Sequence, residues 1–209
     1  MKKPTSKVIK IFLICLLGLS LIFIKGLYFK KYSRGHDKIP YYSQRDIRWS
    51  KELYGKKGTI KKSGCGPTSL AMVISGLTGR EDINPKVIAD WSFKHGYRAE
   101  GKGSYWSLMT NGGQAFELRV EQVSRKEKNK ILKALKNGKI IIVSVDKGKI
   151  AKGGHFIVLR GITRDDRILM YDPNSVLNSN IAWNVDTILN ESSKNAGEKG
   201  SPFWVFSKK

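Results

Sequence analysis

Ser63-Gly64-Cys65-Gly66-Pro67-Thr68-Ser69-Leu70-Ala71-Met72-Val73-Ile74 passes from a glycine-bracketed loop straight into an apolar run. The run predicts a buried helix from Cys65 to Ser75 or Leu77, stopped near Gly79. Pro67 suits the first helical position, because the N–H it lacks has no partner there. Gly64 and Gly66 permit the sharp turn and leave room beside the sulfur. A thiol at a helix N-terminus lies in the positive end of the macrodipole, which favours thiolate, the nucleophilic form. The only other cysteine, Cys15, sits in the first hydrophobic stretch, so an intradomain disulfide is not expected.

Outward from this helix, Asn84-Pro85 marks an N-cap followed by proline, and Gly96 a stop, which gives a helix over 85–95. A short third helix is expected over 104–114, around Tyr105, Trp106 and Leu108. Residues 118–123 alternate as a strand. Ser124-Arg125-Lys126-Glu127 reads as a capping box, before a helical face of Ile131, Leu132 and Leu135. Strands follow over 139–145, 156–159 and 168–171, the last two joined by a turn at Asp165-Asp166, and residues 203–206 close the sheet. Helices first and mostly antiparallel strands after make an α+β layout. The aromatics Trp91, Trp106, Trp183 and Trp204 are assigned to the core, with Tyr105-Trp106 also a candidate groove lining.

The N-terminal region reads differently. Residues 11–24 are continuously apolar or small, preceded by Lys2, Lys3, Lys7 and Lys10. Fourteen residues fall short of the about 20 that span a bilayer, but 8–29 suffices if Lys10 and Lys25 snorkel. The run ends in Ile22-Phe23-Ile24-Lys25, without the small residues of a signal-peptide cleavage site. The expected organisation is therefore an uncleaved membrane anchor over 1–29, a polar linker over 30–38 and one domain over 39–209. The short basic N-terminus favours an inside location for itself and an external domain. Of the net charge of +22, about +8 belongs to residues 1–40 and about +14 to the rest. The charge is spread along the chain with no nucleic-acid-binding motif beside it, so an anionic cell wall or lipid surface is the expected partner rather than a specific nucleic acid.

A cysteine nucleophile needs a base within hydrogen-bond reach and a third group to hold that base. His36 lies in the linker and His95 ends a charged helix, where histidine commonly caps. His155 stands at the mouth of a buried strand in Gly153-Gly154-His155-Phe156-Ile157-Val158-Leu159, where the two glycines admit close approach of another chain. Tyr171-Asp172-Pro173-Asn174 ends the next strand, and antiparallel pairing brings the start of one strand to the end of the other. Asp172 then lies beside the imidazole, with Asn174 in reserve. The Cys65 N–H and the Gln44 side chain are candidate donors to an oxyanion.

Pro40-Tyr41-Tyr42-Ser43-Gln44-Arg45-Asp46, Trp49, Gly64-Cys65-Gly66-Pro67-Thr68-Ser69, Gly154-His155-Phe156-Ile157-Val158-Leu159 and Tyr171-Asp172-Pro173, in that order, resemble papain-like cysteine peptidases. The pattern is most similar to bacterial relatives of the bacteriocin leader (double-glycine) peptidases, cysteine peptidase family 39, over residues 39–207. The resemblance implies a papain-like fold, with an N-terminal helical part packed on the sheet. It implies Cys65 as nucleophile, His155 as general base, Asp172 as orienting acid and Gln44 as oxyanion donor, with no metal or organic cofactor. Unlike transporter-linked members, this sequence has no ATPase segment, and Gln44 lies farther from Cys65.

The expected activity is hydrolysis of peptide bonds at a Gram-positive-like cell surface by a membrane-anchored monomer. Two other readings are carried: a transpeptidase or acyltransferase using the same acyl-thioester, and a non-catalytic surface binding module on the same fold.

Overall fold

The computed structural model describes residues 39–209, together with Ile14, Gly18, Ser20 and the backbone of Ser33–Gly35. The chain divides into two compact units, Met1–Ser33 and Arg34–Lys209. The proposed anchor lies almost wholly outside the described residues. Among the described residues no helix is long and apolar enough to cross a membrane.

After the short strand β1 (Ser33–Gly35), helices α1 (Ile60–Ser63), α2 (Cys65–Thr78) and α3 (Pro85–Lys94) precede a small hairpin, β2 (Arg98–Ala99) with β3 (Gly103–Ser104). Then come α4 (Ser107–Ala115), β4 (Leu118–Val123), α5 (Lys128–Lys136), β5 (Ile140–Val145), β6 (His155–Thr163) and β7 (Ile168–Tyr171). The chain ends with α6 (Val176–Ser179), β8 (Ala182–Trp183), α7 (Val185–Glu191) and β9 (Phe203–Lys208). The main sheet runs in the order β4-β9-β5-β6-β7-β8 with every one of these pairs antiparallel. This mixed α/β architecture with an antiparallel sheet agrees with the expected layout.

The last strand departs from expectation. β9 does not close an edge; it lies between β4 and β5, pairing Phe206 with Val120 and Trp204 with Ile142. A fully buried strand needs neighbours on both sides, and Phe203, Trp204 and Phe206 are completely buried. The sheet is also covered on both faces. Ile142, Val158, Trp204 and Phe206 pack with Leu70, Ile74 and Leu108 of α2 and α4. Ile141, Val143, Ile157 and Phe203 pack on the other face with Ile131, Leu135 and Ile188 of α5 and α7. Burial on both faces explains why β5 is apolar at every position but Ser144 instead of alternating.

Several local signals act as read. Asn84 caps α3 by accepting from the amides of Lys86 and Val87 at 3.0 and 3.2 Å. Gly79 ends α2 in the left-handed region at φ 77°. His95 caps α3, with Nδ1 2.8 Å from the Trp91 carbonyl and its ring stacked on Trp91. Others act differently. Pro67 is the third residue of α2, not the first, and still lies in the turn whose N–H groups lack helical partners. The box at Ser124 is half-formed: Glu127 accepts from the Ser124 amide at 2.8 Å, but the Ser124 hydroxyl accepts from Lys126 and α5 starts at Lys128.

The segment 104–106 is not helical, because Gly103–Ser104 pairs with Arg98–Ala99. Ser104 is held there by the Tyr54 hydroxyl at 2.6 Å, and Arg98 donates to the carbonyls of Tyr54, Lys57, Ala99 and Gly103. Trp106 is 42 % exposed and therefore not a core residue, whereas Trp204 is.

Candidate active site

The glycines around Cys65 position it by sterics. A Cβ on Gly64 would meet the Ile60 carbonyl oxygen at 2.5 Å, and one on Gly66 would meet the Ser104 hydroxyl at 2.6 Å. Only bare backbone fits where α1 turns into α2, and that turn sets Cys65 as the first residue of α2. The helix is held to β6 by apolar contacts and by the Ser69 hydroxyl, which donates to the Phe156 carbonyl at 3.3 Å. Phe156 follows His155, so the bond fixes the sulfur relative to the imidazole.

The strand register supplies the other neighbour. Val158 pairs with Tyr171, so continuing the antiparallel ladder carries Asp172 toward the start of β6. The His155 Nε2 lies 2.7 Å from Asp172 Oδ1. The Asp172 side chain is 2 % exposed and the His155 side chain 10 %. With Nε2 taken by the carboxylate, Nδ1 is the ring nitrogen left to serve Cys65, which lines the same cleft. The structure thus brings together Cys65, His155 and Asp172.

Asp172 has further partners. Its Oδ1 also accepts from the Asn174 amide at 2.8 Å, and Oδ2 accepts from Asn178 Nδ2 at 2.7 Å. Asn178 Nδ2 donates as well to the Ile150 carbonyl at 3.1 Å. The sequence reading missed Asn178. Its only local sign is Ser175 three residues earlier, which caps α6 by accepting from the Asn178 amide. Asn174 contributes its backbone only; its side-chain oxygen accepts from Arg45 Nε at 2.8 Å and is not an orienting group for His155.

Gln44 reaches the site because the segment 41–45 docks on the end of β7. The Tyr41 hydroxyl donates to the Asp172 carbonyl at 3.0 Å, the Gln44 amide donates to the Pro173 carbonyl at 2.8 Å, and Tyr41 packs on Tyr171. The Gln44 side chain is buried and donates from Nε2 to the Lys61 carbonyl at 2.7 Å. That leaves the second Nε2 hydrogen available. Gln44, Cys65, His155 and Asp172 all line one cleft of about 750 Å³. Its far wall is the 148–154 loop, held by Glu191, whose carboxylate accepts from the amides of Lys149 and Ile150 at 2.9 Å each.

The two glycines before His155 face open space. A Cβ at Gly153 or Gly154 would find nothing within 4 Å, and both line the open mouth of the cleft. Tyr105 and Trp106 lie away from Cys65, in a separate depression with Thr110, Gln122 and Trp204. Among the described residues no cluster of His, Cys, Asp or Glu could hold a metal ion.

The charges reinforce one another. Burial pushes the Cys65 thiol up, but the hydrogen bond and charge of His155, with the amides of Phe156 and Gly66, bring it below the ordinary thiol value. Burial pushes the His155 ring down, and Asp172 and Cys65 more than reverse this, raising it to about 10. Burial pushes the Asp172 carboxyl up, and His155, the Asn174 amide and Asn178 outweigh it, so its pKa falls below the ordinary carboxylate value. Both shifts act in the same direction, toward a thiolate beside an imidazolium.

Two consequences are measurable. Thiolate is the reactive form, so the alkylation rate of Cys65 should fall as pH drops through its lowered pKa and persist well below the free thiol's value of about 8.5. In His155→Ala the stabilising charge is gone and burial remains, so the midpoint should move above about 8.5 in an iodoacetamide rate profile mapped by peptide mass. Asn178→Ala removes one hydrogen bond from a buried carboxylate, a loss of about 1.5–3 kcal/mol, part of which reaches the thiolate through His155. The same profile should shift upward by about one pH unit.

Comparison with known proteins agrees with this fold. The crystal structure of a C39-like peptidase from Bacillus anthracis superposes with a TM-score of 0.58 at 14% identity, covering 85% of this chain and 98% of that one. A fragment of prointerpain A from Prevotella intermedia gives 0.50 at 12% identity, over 85% of this chain and 73% of that one. At such identities the likeness is one of fold. Comparison with curated protein sequences gives no match. The sequence model of the peptidase C39-like family matches residues 36–200, and the chain belongs to that family.

Proposed function

We propose that this protein is a cysteine peptidase that hydrolyses peptide bonds, with Cys65 as nucleophile and His155 as general acid and base. The observation that carries the reading is the chain of contacts at the floor of the cleft. Cys65 heads α2 and lines the cleft beside His155, whose Nε2 is 2.7 Å from a buried carboxylate. Family membership and the fold of the Bacillus anthracis structure support it.

In this reading the Cys65 thiolate attacks the substrate carbonyl carbon, forming a C–S bond and placing negative charge on the carbonyl oxygen. The Cys65 amide and the remaining Nε2 hydrogen of Gln44 donate to that oxygen. The tetrahedral intermediate collapses as His155 gives its Nδ1 proton to the departing amine and the C–N bond breaks. The neutral imidazole then takes a proton from water, the hydroxide attacks the thioester, and thiolate leaves. Asp172 keeps Nε2–H pointed at itself throughout, which fixes the tautomer and stabilises the imidazolium.

The reading extends to location. Residues 1–29 would act as an uncleaved anchor, carrying the basic domain at the outer face of a bacterial membrane. The support for an anchor is the apolar run, and for the outer face the short basic N-terminus that precedes it.

The test is a digest of a peptide library by the full-length chain, with new termini identified by mass spectrometry. Cys65→Ala should produce none, and Gln44→Ala should lower the rate by about 10²–10³-fold, the usual effect of losing one oxyanion donor. A library left intact by the unmodified chain, or cleaved equally by Cys65→Ala, would contradict the reading. Products joined to an added amine would assign the acyl-enzyme to transfer.

A further inference from the structure

The cleft carries a charge pattern that the chemistry above does not use. Arg45, Lys61 and Lys62 line it on the side of Gln44 and α1, and Lys149 and Lys152 line it on the loop opposite. All five are exposed. No ion pair involves any of them among the described residues.

Some cations elsewhere in the domain sit beside local acids, as in Arg80–Asp82, Lys128–Asp186 and Lys136–Asp166. The cleft has no spare carboxylate to do this. Asp172 is its only acidic lining residue, and both its oxygens are engaged by His155, Asn174 and Asn178. Glu191, behind the loop, is consumed by the amides of Lys149 and Ile150. Arg45 meets only the neutral amide of Asn174.

Like charges on facing walls repel one another, so the arrangement raises the energy of the empty cleft. A low-dielectric groove lined by one sign of charge focuses its field on whatever enters. An extended peptide laid across Cys65 would pass between the two walls. Acidic side chains on either side of the bond to be cut would relieve the repulsion, and lysine or arginine there would add to it.

We infer that the cleft selects peptide segments carrying aspartate or glutamate beside the scissile bond, recognised by Lys61 and Lys62 on one wall and Lys149 and Lys152 on the other. This rests on the peptidase reading for the cleavage itself. The anion preference does not rest on it.

The experiment uses that separation. The full-length chain is labelled in parallel with iodoacetate and iodoacetamide, which differ in charge at the reacting end; the Cys65 peptide is followed by mass apart from that of Cys15, and its rate ratio is divided by that of free N-acetylcysteine. At about 10 mM salt, with a Debye length of about 30 Å, the ratio should favour iodoacetate about tenfold. At about 1 M, where the length is about 3 Å, the preference should vanish. Replacing Lys61, Lys62, Lys149 and Lys152 with glutamine should remove most of it at low salt. These are exposed side chains, and replacing them separates their effect from that of the His155 ring, which also attracts an anionic reagent.

In the second arm, peptides that differ only by Glu or Gln around the cut bond should differ about tenfold in kcat/KM, in favour of Glu. A ratio near one at low salt, or one unchanged by the four substitutions, would overturn the inference. So would equal cleavage of the Glu and Gln peptides. A labelling preference without a peptide preference, accompanied by retention on phosphatidylglycerol vesicles, would assign the cations to a lipid surface and also overturn it. Iodoacetamide labelling of an ordinary thiol, with no cleavage of any peptide, would count against the peptidase reading while leaving the rate ratio to decide the anion preference.

Discussion

The contact between His155 Nε2 and Asp172 Oδ1, at 2.7 Å, holds two groups that burial alone would neutralise. Each helps keep the other charged, and among the described ion pairs Asp172 has no other cation to turn to. Separate them and the carboxylate is stranded, 2 % exposed, with only neutral donors left. Removing one partner of a buried pair typically costs about 3–5 kcal/mol. The fold spends several devices on keeping the pair together: the β6–β7 register, the Asn178 side chain and the Tyr41 hydroxyl on the Asp172 carbonyl.

That pair then organises what lies around it. Fixing Nε2 against Asp172 orients the imidazole, and the orientation presents Nδ1 to the head of α2. Cys65 is held there by a turn that tolerates no side chain at position 64 or 66 and by the Ser69–Phe156 bond between helix and strand. The 41–45 segment reads the same feature from outside. By docking on Tyr171 and Pro173 it brings Gln44 into the cleft, although 21 positions separate Gln44 from Cys65 in sequence. Three chain segments far apart in sequence meet because each is bonded to the end of β7 or the start of β6.

What was legible in the sequence was local or followed from pairing adjacent strands. Helix α2, the α3 cap and the β6–β7 hairpin carry their signals in neighbouring residues, and the hairpin turns at Asp166, whose φ is 56°. From that hairpin the proximity of His155 and Asp172 could be read. The insertion of β9 between β4 and β5 could not, because strand order depends on contacts across some 60–90 positions and Phe203–Phe206 looks the same at an edge or in the middle. The hairpin at 98–104 was lost to the aromatic run beside it, since its cause is Arg98 and Tyr54 bonding from elsewhere. Asn178 escaped because an asparagine in a four-residue helix has no pattern of its own.

The central claim is that a thiolate and an imidazolium coexist at the head of α2. Nitrogen-15 NMR of the ring of His155, in protein labelled at histidine, tests it most directly. At pH 7.5 both ring nitrogens should carry protons, and they should do so until the pH approaches about 10. Capping Cys65 with a neutral methylthio group should lower that titration, because the negative charge beside the ring is removed. A neutral imidazole at pH 7.5 in the uncapped protein, with one ring nitrogen bare and no response to capping, would contradict it.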